Sequence, residues 1–444
     1  MTKSIAEMPS VEFTGEDIET GRLPMRQAQA ALEHGPIYKW VIDNGYDRGE
    51  FVFMVGPQAN RFVLHTGREH FSHDLGWTPI VGEMLGKGLL NMDDPEHARH
   101  RKMWNPAFTS AAMEAYLPIL QRIIAERTAS WPDQEWIDVY AESREITFDA
   151  AAVALAGMRR GPQVDRLREL FYTLLHGFDP ERETWEEYDQ RWRSTRSELA
   201  QTLLRLIAER RALPETEQPR DVVGLIVRAR DEDGRALSDE QILAHINILL
   251  VAGHETTTTL GAWTLYMLAT QPEHRRRIEA ELQSLLGDTR GELPVEAVRQ
   301  MKQLDNFIKE VGRVYSPVIN VPRGVLRDFE FGGYRVPAGT PVRLALAAGH
   351  LLPHVFAEPE RFDPDRFAPP REEDRKTPYS LVTFGGGSRI CIGISFAQIE
   401  VKALAAHVLR TYELEVVPGQ QLVHAGHWTA YVPGGIRLRA RRRA

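Results

Sequence analysis

One long helical segment in the second half of the chain limits the folds that this sequence can adopt. Ser238 and Gln241 form a capping box, in which Ser238 is the N-cap residue of a helix. The helical pattern continues to about Gln271, and Pro272 ends it. At ~1.5 Å per residue this helix is about 50 Å long, enough to cross the molecule. We therefore predict a mainly helical fold around one long central helix.

The centre of this helix contains residues that are unfavourable in helices. Residues 252–259 read Ala-Gly-His-Glu-Thr-Thr-Thr-Thr. Glycine and threonine have low helix propensity, and a threonine hydroxyl can bond the carbonyl one turn earlier and bend the helix. This local weakening indicates a functional kink, although a Thr-rich stretch of an ordinary buried helix would have the same pattern.

Cys391 is the only cysteine of the 444 residues, so it cannot form an internal disulfide. It follows a glycine-rich segment, and an amphipathic helix is predicted from Ile394 to Tyr412. Free N–H groups and the dipole at a helix N-terminus favour thiolate over thiol. Without a second cysteine or a nearby histidine, zinc and iron–sulfur sites are excluded, which leaves a single thiolate on haem iron. A buried free cysteine with no chemistry is the alternative.

Both segments resemble one known family. Phe384, Gly387, Arg389, Cys391 and Gly393 match Phe-x-x-Gly-x-Arg-x-Cys-x-Gly, which is similar to the haem-binding signature of the cytochrome P-450 superfamily, the haem-thiolate monooxygenases. Residues 252–257 resemble that family's Ala/Gly-Gly-x-Asp/Glu-Thr-Thr motif. The resemblance implies that Cys391 is the axial ligand of the iron and that Phe384 and Gly393 contact the haem.

The same resemblance implies a fold and a cofactor. The fold would be mainly α with a small β-rich lobe, and haem b would lie between the long central helix and the helix after the cysteine loop. Residues 1–444 would form a single domain, with a polar N-terminal segment at about 1–20.

The motif in the long helix implies an oxygen-activating site. Cleavage of dioxygen requires protons, and a hydroxyl can accept and donate at once, so we expect Thr256 to relay protons. Glu255 would feed protons to Thr256. Ala252 would leave room for dioxygen and substrate over the haem. His254 points to another face if Thr256 faces the haem, and we expect it to be structural.

A pair of charged residues three apart predicts a buried network. Glu310 and Arg313 share one face of a helix that ends near Tyr315. On a surface such a pair contributes only ~0–1 kcal/mol, but here it resembles the family's Glu-x-x-Arg element. Its implied partner is Arg366, in a segment similar to the family's Phe-x-Pro-x-Arg-Phe, and Arg361 is the competing candidate. The network would serve folding and haem retention.

Four cationic side chains are candidates for the two haem propionates. His97 and Arg101 lie at i and i+4 on a short predicted helix, and resemble the family's His-x-x-x-Arg pair. Arg323 and Arg389 match the other family positions, and arginine binds planar carboxylates through its bidentate fork. His97 and His100 have the alternative interpretation of a metal pair, but no third ligand lies nearby in the sequence.

Family analogy also places an apolar substrate pocket on the distal side. Its candidate wall residues are Trp77, Ile80, Met84, Leu85, Val318, Ile319, Asn320 and Trp428. Plain core packing is the alternative for each of them. Asn320 would supply one polar contact, and no charged anchor stands out, which favours a fairly large apolar substrate.

The composition of the chain limits the kinds of molecule with which it is expected to interact. The formal net charge of −8 argues against nucleic acid as a partner. No stretch reaches the ~20 apolar residues that span a bilayer, and the acidic N-terminus does not resemble a secretory signal. We therefore expect a cytoplasmic, monomeric protein of the bacterial type without a membrane anchor.

Electrons for the reaction would have to come from another protein. Residues 392–444 are too few for a flavin reductase domain, and no Gly-x-Gly-x-x-Gly fingerprint is present. The expected donor is a ferredoxin or flavodoxin with its NAD(P)H-dependent reductase, docked near Cys391. Two alternatives remain: a peroxide-driven haem-thiolate peroxygenase, and a haem-binding sensor without turnover.

Overall fold

Helices form most of the fold. The computed structural model describes residues 2–43, 48–175, 177–179, 182–230, 234–287 and 291–443. Its helices are α1 (Gly15–Glu19), α2 (Leu23–His34), α3 (Pro57–Arg61), α4 (Asp74–Leu85), α5 (Glu96–Trp104), α6 (Ser110–Thr128), α7 (Val139–Ala150), α8 (Pro162–Leu175), α9 (Trp185–Ala212), α10 (Val222–Arg228), α11 (Asp239–Thr270), α12 (Pro272–Leu286), α13 (Val295–Gln300), α14 (Lys302–Val314), α15 (Leu346–Gly349), α16 (Glu373–Lys376) and α17 (Ile394–Thr411).

Short strands build the β-rich part of the molecule. They are β1 (Lys3–Ser4), β2 (Ser10–Glu12), β3 (Ile37–Asp43), β4 (Arg48–Val55), β5 (Phe71–Ser72), β6 (Trp136–Asp138), β7 (Asn320–Val325), β8 (Phe329–Phe331), β9 (Tyr334–Val336), β10 (Pro341–Ala345), β11 (Tyr412–Val416), β12 (Ala425–Gly426), β13 (Ala430–Tyr431) and β14 (Arg437–Arg442). The predicted fold class, mainly α with small β sheets, is confirmed.

The largest sheet has the strand order β2-β3-β4-β10-β7-β5. Strand β10 pairs in parallel with β4, where Val342 lies opposite Val52, and antiparallel with β7, where Leu344 lies opposite Val321. Smaller sheets have the orders β1-β9-β8, β11-β14-β6 and β12-β13. Alternating aromatic residues of β3 and β4 pack on one face of the large sheet, which orders the lobe that carries Arg323 on β7.

The central helix α11 has the predicted limits. Its N-cap is Ser238, whose side chain accepts a hydrogen bond from the Gln241 N–H, and its C-cap is Gln271. It packs against α7, α9, α14 and α17. Because α11 has neighbours on all sides, its apolar residues are buried around the whole helix, as Ile246, Leu250 and Leu260 show at 0%, 0% and 2% exposure.

The Thr-rich centre of α11 keeps its helical hydrogen bonding. The helix is continuous from Asp239 to Thr270, so no break accompanies the predicted weakening. The predicted back-bonds are present: the Thr256 Oγ1 donates to the Ala252 carbonyl at 3.0 Å, and the Thr259 Oγ1 to the Glu255 carbonyl at 3.3 Å. Among the helices described, none is both long enough and apolar enough to cross a membrane.

Candidate active site around Cys391

The cysteine loop is a tight turn that precedes α17. The Cys391 N–H donates to the Phe384 carbonyl at 2.9 Å and closes the loop. Gly387 has φ +64°, and a Cβ at this position would lie 2.0 Å from the carbonyl oxygen of Leu64. The loop therefore requires glycine here for its left-handed backbone and for the close approach of a neighbouring segment.

Cys391 combines an open surface with a desolvated setting. The residue is exposed, yet burial by the surrounding protein raises the pKa of its thiol. The Gly393 N–H and the charge of Arg101 oppose that rise without cancelling it. The local groups therefore act in the predicted direction, towards the thiolate, while desolvation acts against them. Helix α17 begins at Ile394, and lost hydration outweighs the local N–H groups.

Cationic side chains from three separate segments gather near Cys391. Arg323 is 4% exposed, and burial together with the charge of Arg389 lowers its pKa to about 9. Arg389 donates to the Met92 carbonyl at 2.8 Å. Arg101 is half-buried and interacts electrostatically with Cys391, and no hydrogen bond or ion pair joins its guanidinium to another described residue.

His97 completes the predicted set of four. It is 4% exposed, and burial and the charge of Arg389 lower its pKa to about 4. Its Nδ1 lies 3.4 Å from the Asp94 Oδ1, and the Arg389 Nη2 lies 3.6 Å from the same oxygen. The structure thus brings His97, Arg101, Arg323 and Arg389 together, as a group that could hold a ligand with more than one carboxylate.

A histidine that the sequence did not reveal belongs to this group. Burial and the charges of Arg323, Arg389 and His97 lower the pKa of His73 well below its ordinary value. The backbone N–H of His73 donates to the Asp93 Oδ1 at 2.6 Å. His73 directly precedes α4 and lies in no recognisable motif, so only the packing of the segments shows its position.

The alternative interpretation of His97 and His100 as a metal pair finds no support. The His100 Nδ1 lies 2.7 Å from the His245 Nε2 of α11, so these rings share a hydrogen bond. Within the described residues, no group of three or more His, Cys, Asp or Glu side chains could hold a metal ion.

The middle of α11 has one exposed side chain. Past Glu240, Ala252 is the only residue of this helix that is exposed, although it lies in the buried centre of the protein. Thr256, one turn later on the same face, is half-buried. A small exposed side chain in the middle of a core helix indicates that this face borders an interior space.

Glu255 is held as a carboxylate beside Thr256. The Arg144 Nε and Nη2 donate to its Oε1 at 3.1 and 2.6 Å, and the His254 Nε2 lies 2.9 Å from the same oxygen. Burial alone would raise the pKa of Glu255, but the hydrogen bonds and charges of His254 and Arg144 lower it to about 2. His254 is fully buried, as expected for a structural residue, but it also contacts the acid.

The predicted charged network is formed. Glu310, Arg313 and Arg366 are each 0% exposed. Glu310 accepts from the Arg313 Nε and Nη2, both at 2.8 Å, and from the Arg366 Nε at 3.0 Å. Arg361 contributes only its backbone carbonyl, and its own side chain is 67% exposed in a pair with Glu358.

The predicted wall residues occupy different environments. Trp77 and Trp428 lie with ring centroids 5.9 Å apart, and Val318 forms a β-bridge with Thr429, so these two segments meet. Leu85 and Ile319 are 3% and 1% exposed, and Met84 packs against the helical core. Ile80 is 37% exposed and belongs to no described core cluster.

Asn320 differs from its expected role. Its Oδ1 accepts from the Gln27 Nε2 at 3.2 Å, and its Nδ2 donates to the His427 carbonyl at 2.9 Å. These bonds occupy the amide, because the Asn320 side chain joins α2 to the segment before β13. A buried cation was also missed: the Arg343 Cζ lies 4.6 Å from the ring centroid of Trp428.

A separate cavity lies far from the residues described so far. It has a volume of ≈ 560 Å³ and lies between α6, α17 and β14, with Arg122, His407 and Arg410 in its wall. None of the predicted site residues lines it, so it is not the site around Cys391.

Comparison with known proteins identifies relatives of this chain. The family model for cytochrome P450 matches residues 15–434. Putative cytochrome P450 120 of Synechocystis is 30% identical over 395 residues, which cover 88% of this chain and 86% of that protein. A sterol 14alpha-demethylase of Mycolicibacterium vanbaalenii is 28% identical over 407 residues and 88% of both proteins.

Solved structures agree with the sequence relatives. Cyanobacterial CYP120A1 with bound retinoic acid superimposes with a TM-score of 0.85 at 26% identity, over 100% of both chains. The haem domain of cytochrome P450DA, at 23% identity and a TM-score of 0.86 over 98% of both chains, shows the fold alone. Together with the family match over residues 15–434, these likenesses show that the chain belongs to the cytochrome P450 family, the monooxygenases that carry haem b.

Proposed function

We propose that this P450 inserts one oxygen atom from dioxygen into an apolar organic substrate, by hydroxylation or epoxidation, with electrons from a separate redox protein. The observation that carries the proposal is the anchored acid–alcohol pair. Glu255 is held ionised by Arg144 and His254 beside Thr256, on the helix that exposes Ala252 at its centre. A peroxide-driven enzyme would not need such a proton path, because peroxide brings its own protons.

The residues around Cys391 fit haem b. The thiol of Cys391 is exposed inside a desolvated setting, as a ligand for an iron held within the protein would be. Arg101, without another partner among the described residues, and Arg323, buried without a carboxylate ion pair there, supply cations for two propionates. We propose that Cys391 would ligate the haem iron, that His97, Arg101, Arg323 and Arg389 would hold the propionates, and that Phe384 and Gly393 would contact the haem.

Replacement of Cys391 by serine tests this assignment. The unmodified protein, reduced under carbon monoxide, should show the absorption of a thiolate-ligated carbonyl complex, and Cys391→Ser should lose it while keeping its far-ultraviolet circular dichroism. Survival of that absorption in the variant would contradict the assignment.

The protein's own groups would then control proton supply. When bound, haem supplies the reduction and cleavage of dioxygen. The Thr256 hydroxyl, bonded to the Ala252 carbonyl at 3.0 Å, can donate a proton into the space that Ala252 borders. Glu255 is ionised, so it would first take up from water the proton that it passes to Thr256. The buried residues of α11 around this pair exclude bulk water.

A threonine replacement tests the relay. We expect Thr256→Ala to retain haem and consume electrons, but to release more of them as hydrogen peroxide and fewer as product. Thr264→Ala is the matched control, because the Thr264 hydroxyl makes the same back-bond, to the Leu260 carbonyl at 2.7 Å, two turns further along α11. Equal product yield per electron pair in both variants would refute the relay.

The substrate should be a large apolar molecule of the polyene or sterol type. The relatives support this class: one solved relative has bound retinoic acid, and other relatives are named sterol 14alpha-demethylase. In this chain, the meeting of Trp77 with Trp428 provides aromatic walls. A screen of retinoids, sterols and short fatty acids by the haem spectral shift tests the class, and binding of only the short acids would contradict it.

The redox donor is proposed to be a ferredoxin or flavodoxin with its NAD(P)H-dependent reductase. The positive charges near the cysteine loop, including Arg389 and the exposed Arg99 and Lys102 of α5, favour an acidic partner. Product formation should be compared with reduced ferredoxin and with hydrogen peroxide alone. Product with ferredoxin supports this proposal, and product only with peroxide indicates a peroxygenase. The absence of product in both assays would favour a sensor.

A further inference from the structure

All hydrogen bonds to the Glu255 carboxylate from described residues reach one oxygen. The Arg144 Nε and Nη2 lie 3.1 and 2.6 Å from Oε1, and the His254 Nε2 lies 2.9 Å from it. Arg144 belongs to α7 and His254 to α11, so two helices fix this oxygen. The second oxygen, Oε2, receives no hydrogen bond from the described part of the chain. One oxygen is therefore anchored and the other is available.

Both ring nitrogens of His254 face oxygen atoms. Its Nδ1 lies 2.6 Å from the Leu250 carbonyl oxygen, and its Nε2 lies 2.9 Å from the Glu255 Oε1. His254 is 0% exposed, so these two contacts fix the ring in the core beside the carboxylate.

The other groups that face Glu255 are uncharged at neutral pH. Tyr140 of α7 has its pKa raised to about 12, chiefly by burial. The ring of Tyr172 on α8 covers Arg144, with the guanidinium carbon 3.8 Å from the ring centroid, and burial raises the pKa of this tyrosine as well. The carboxylate of Glu255 therefore lies among the guanidinium of Arg144, the imidazole of His254 and two neutral phenols.

We propose that Arg144 and His254 are positioning residues of the oxygen-activating site, which hold Glu255 ionised through Oε1 and reserve Oε2 for proton exchange with Thr256. This inference rests on the proposed function of Glu255. The arrangement keeps Oε2 in one place, and because the pKa of Glu255 is low, a proton that Oε2 takes up from water is passed on and the carboxyl group returns to its ionised form. Loss of Arg144 removes one cation and two hydrogen bonds, which raises the pKa of the carboxyl group.

Infrared spectroscopy of the full-length holoprotein tests the anchoring without turnover. Spectra between pH 4 and pH 8 report protonated carboxyl groups through their carbonyl stretch. Arg144→Met should add a carboxyl group that titrates in this interval, and the double variant Arg144→Met/Glu255→Gln should lose it again. Arg277→Met is the control, because Arg277 makes a bidentate pair with Asp365 at 2.8 and 2.6 Å outside the site. If the infrared spectrum of Arg144→Met shows no added carboxyl titration between pH 4 and pH 8, the proposed anchoring of Glu255 is wrong.

The pH profile of coupling tests the link to proton delivery. Product formed per electron pair should be independent of pH from 5 to 8 in the unmodified enzyme. In Arg144→Met it should fall severalfold and acquire a pH dependence that follows the infrared titration. Arg144→Lys should restore most of the coupling, which a loss of packing alone would not allow. If the infrared titration appears in Arg144→Met but the product formed per electron pair is unchanged and independent of pH, the ion pair between Arg144 and Glu255 is supported. The role of Glu255 in proton delivery is then refuted.

His254→Gln provides an independent variant if Arg144→Met does not fold. Glutamine can donate one hydrogen bond to Oε1 but carries no charge, so the carboxyl group should titrate higher and coupling should fall. Unchanged infrared spectra and coupling in His254→Gln would overturn the role assigned to His254.

Discussion

Glu310 offers the sharpest test of how the cysteine loop is supported. Its carboxylate accepts four hydrogen bonds: two from Arg313 at 2.8 Å, one from the Arg366 Nε at 3.0 Å and one from the Asp363 N–H at 2.9 Å. Glu310, Arg313 and Arg366 are 0% exposed. Replacement of Glu310 by glutamine keeps the volume but leaves two buried guanidinium groups without their shared negative charge.

The magnitude follows from that burial. Removal of one partner from a buried ion pair costs about 3–5 kcal/mol, because the remaining charge cannot regain its hydration. The folding equilibrium of Glu310→Gln should therefore shift by a factor of about 10² to 10⁴ towards the unfolded state. Backbone carbonyls of His350 and Ala357 also accept from the two arginines, which limits the loss to this range.

Urea denaturation of the holoprotein, followed by circular dichroism and by haem absorbance, measures the effect. The control is Glu358→Gln, because Glu358 and Arg361 form a surface pair at 3.3 Å with side chains 73% and 67% exposed. That variant should change the free energy of unfolding by only ~0–1 kcal/mol. A loss in Glu310→Gln no larger than in the control would refute the view that this network supports the loop.

Two further changes test the loop and its pH dependence. Gly387→Ala should lower haem occupancy, because φ is +64° and the new Cβ would lie 2.0 Å from the Leu64 carbonyl oxygen. The control Gly419→Ala has a similar φ of +74° but open space around the new Cβ, so it should lower the free energy of unfolding by only ~1–2 kcal/mol and leave haem occupancy unchanged. Equal haem occupancy in the two variants would contradict this reasoning. The His350 Nε2 accepts a hydrogen bond from the Val382 N–H, and burial lowers the pKa of His350 to about 3. Between pH 6.5 and about 3, His350 is therefore protonated in the unfolded state and neutral in the native state. The free energy of unfolding should therefore fall as the pH drops from 6.5 to about 3. His350→Asn should reduce the slope of this free energy against pH by ~1.4 kcal/mol per pH unit. An unchanged slope, measured by urea denaturation at several pH values, would show that His350 is not responsible.

The sequence was sufficient for features that neighbouring residues encode. The capping box at Ser238 and the stop at Pro272 predicted α11 to the residue at its start and within one residue at its end. The spacing of Glu310 and Arg313 placed both on one helix face, and the motif around Cys391 identified the family. Caps, helix periodicity and short motifs act over a few residues, so a linear pattern contains them.

Only the tertiary structure decided which distant groups meet and how their charges respond. Arg144 reaches Glu255 across 111 residues of sequence, and Gln27 reaches Asn320 across 293. The direction of the pKa of Cys391 likewise differs from the local expectation. Long-range pairs depend on how the helices pack, and desolvation depends on every atom around a group, so neither quantity is contained in the residues next to it in the chain.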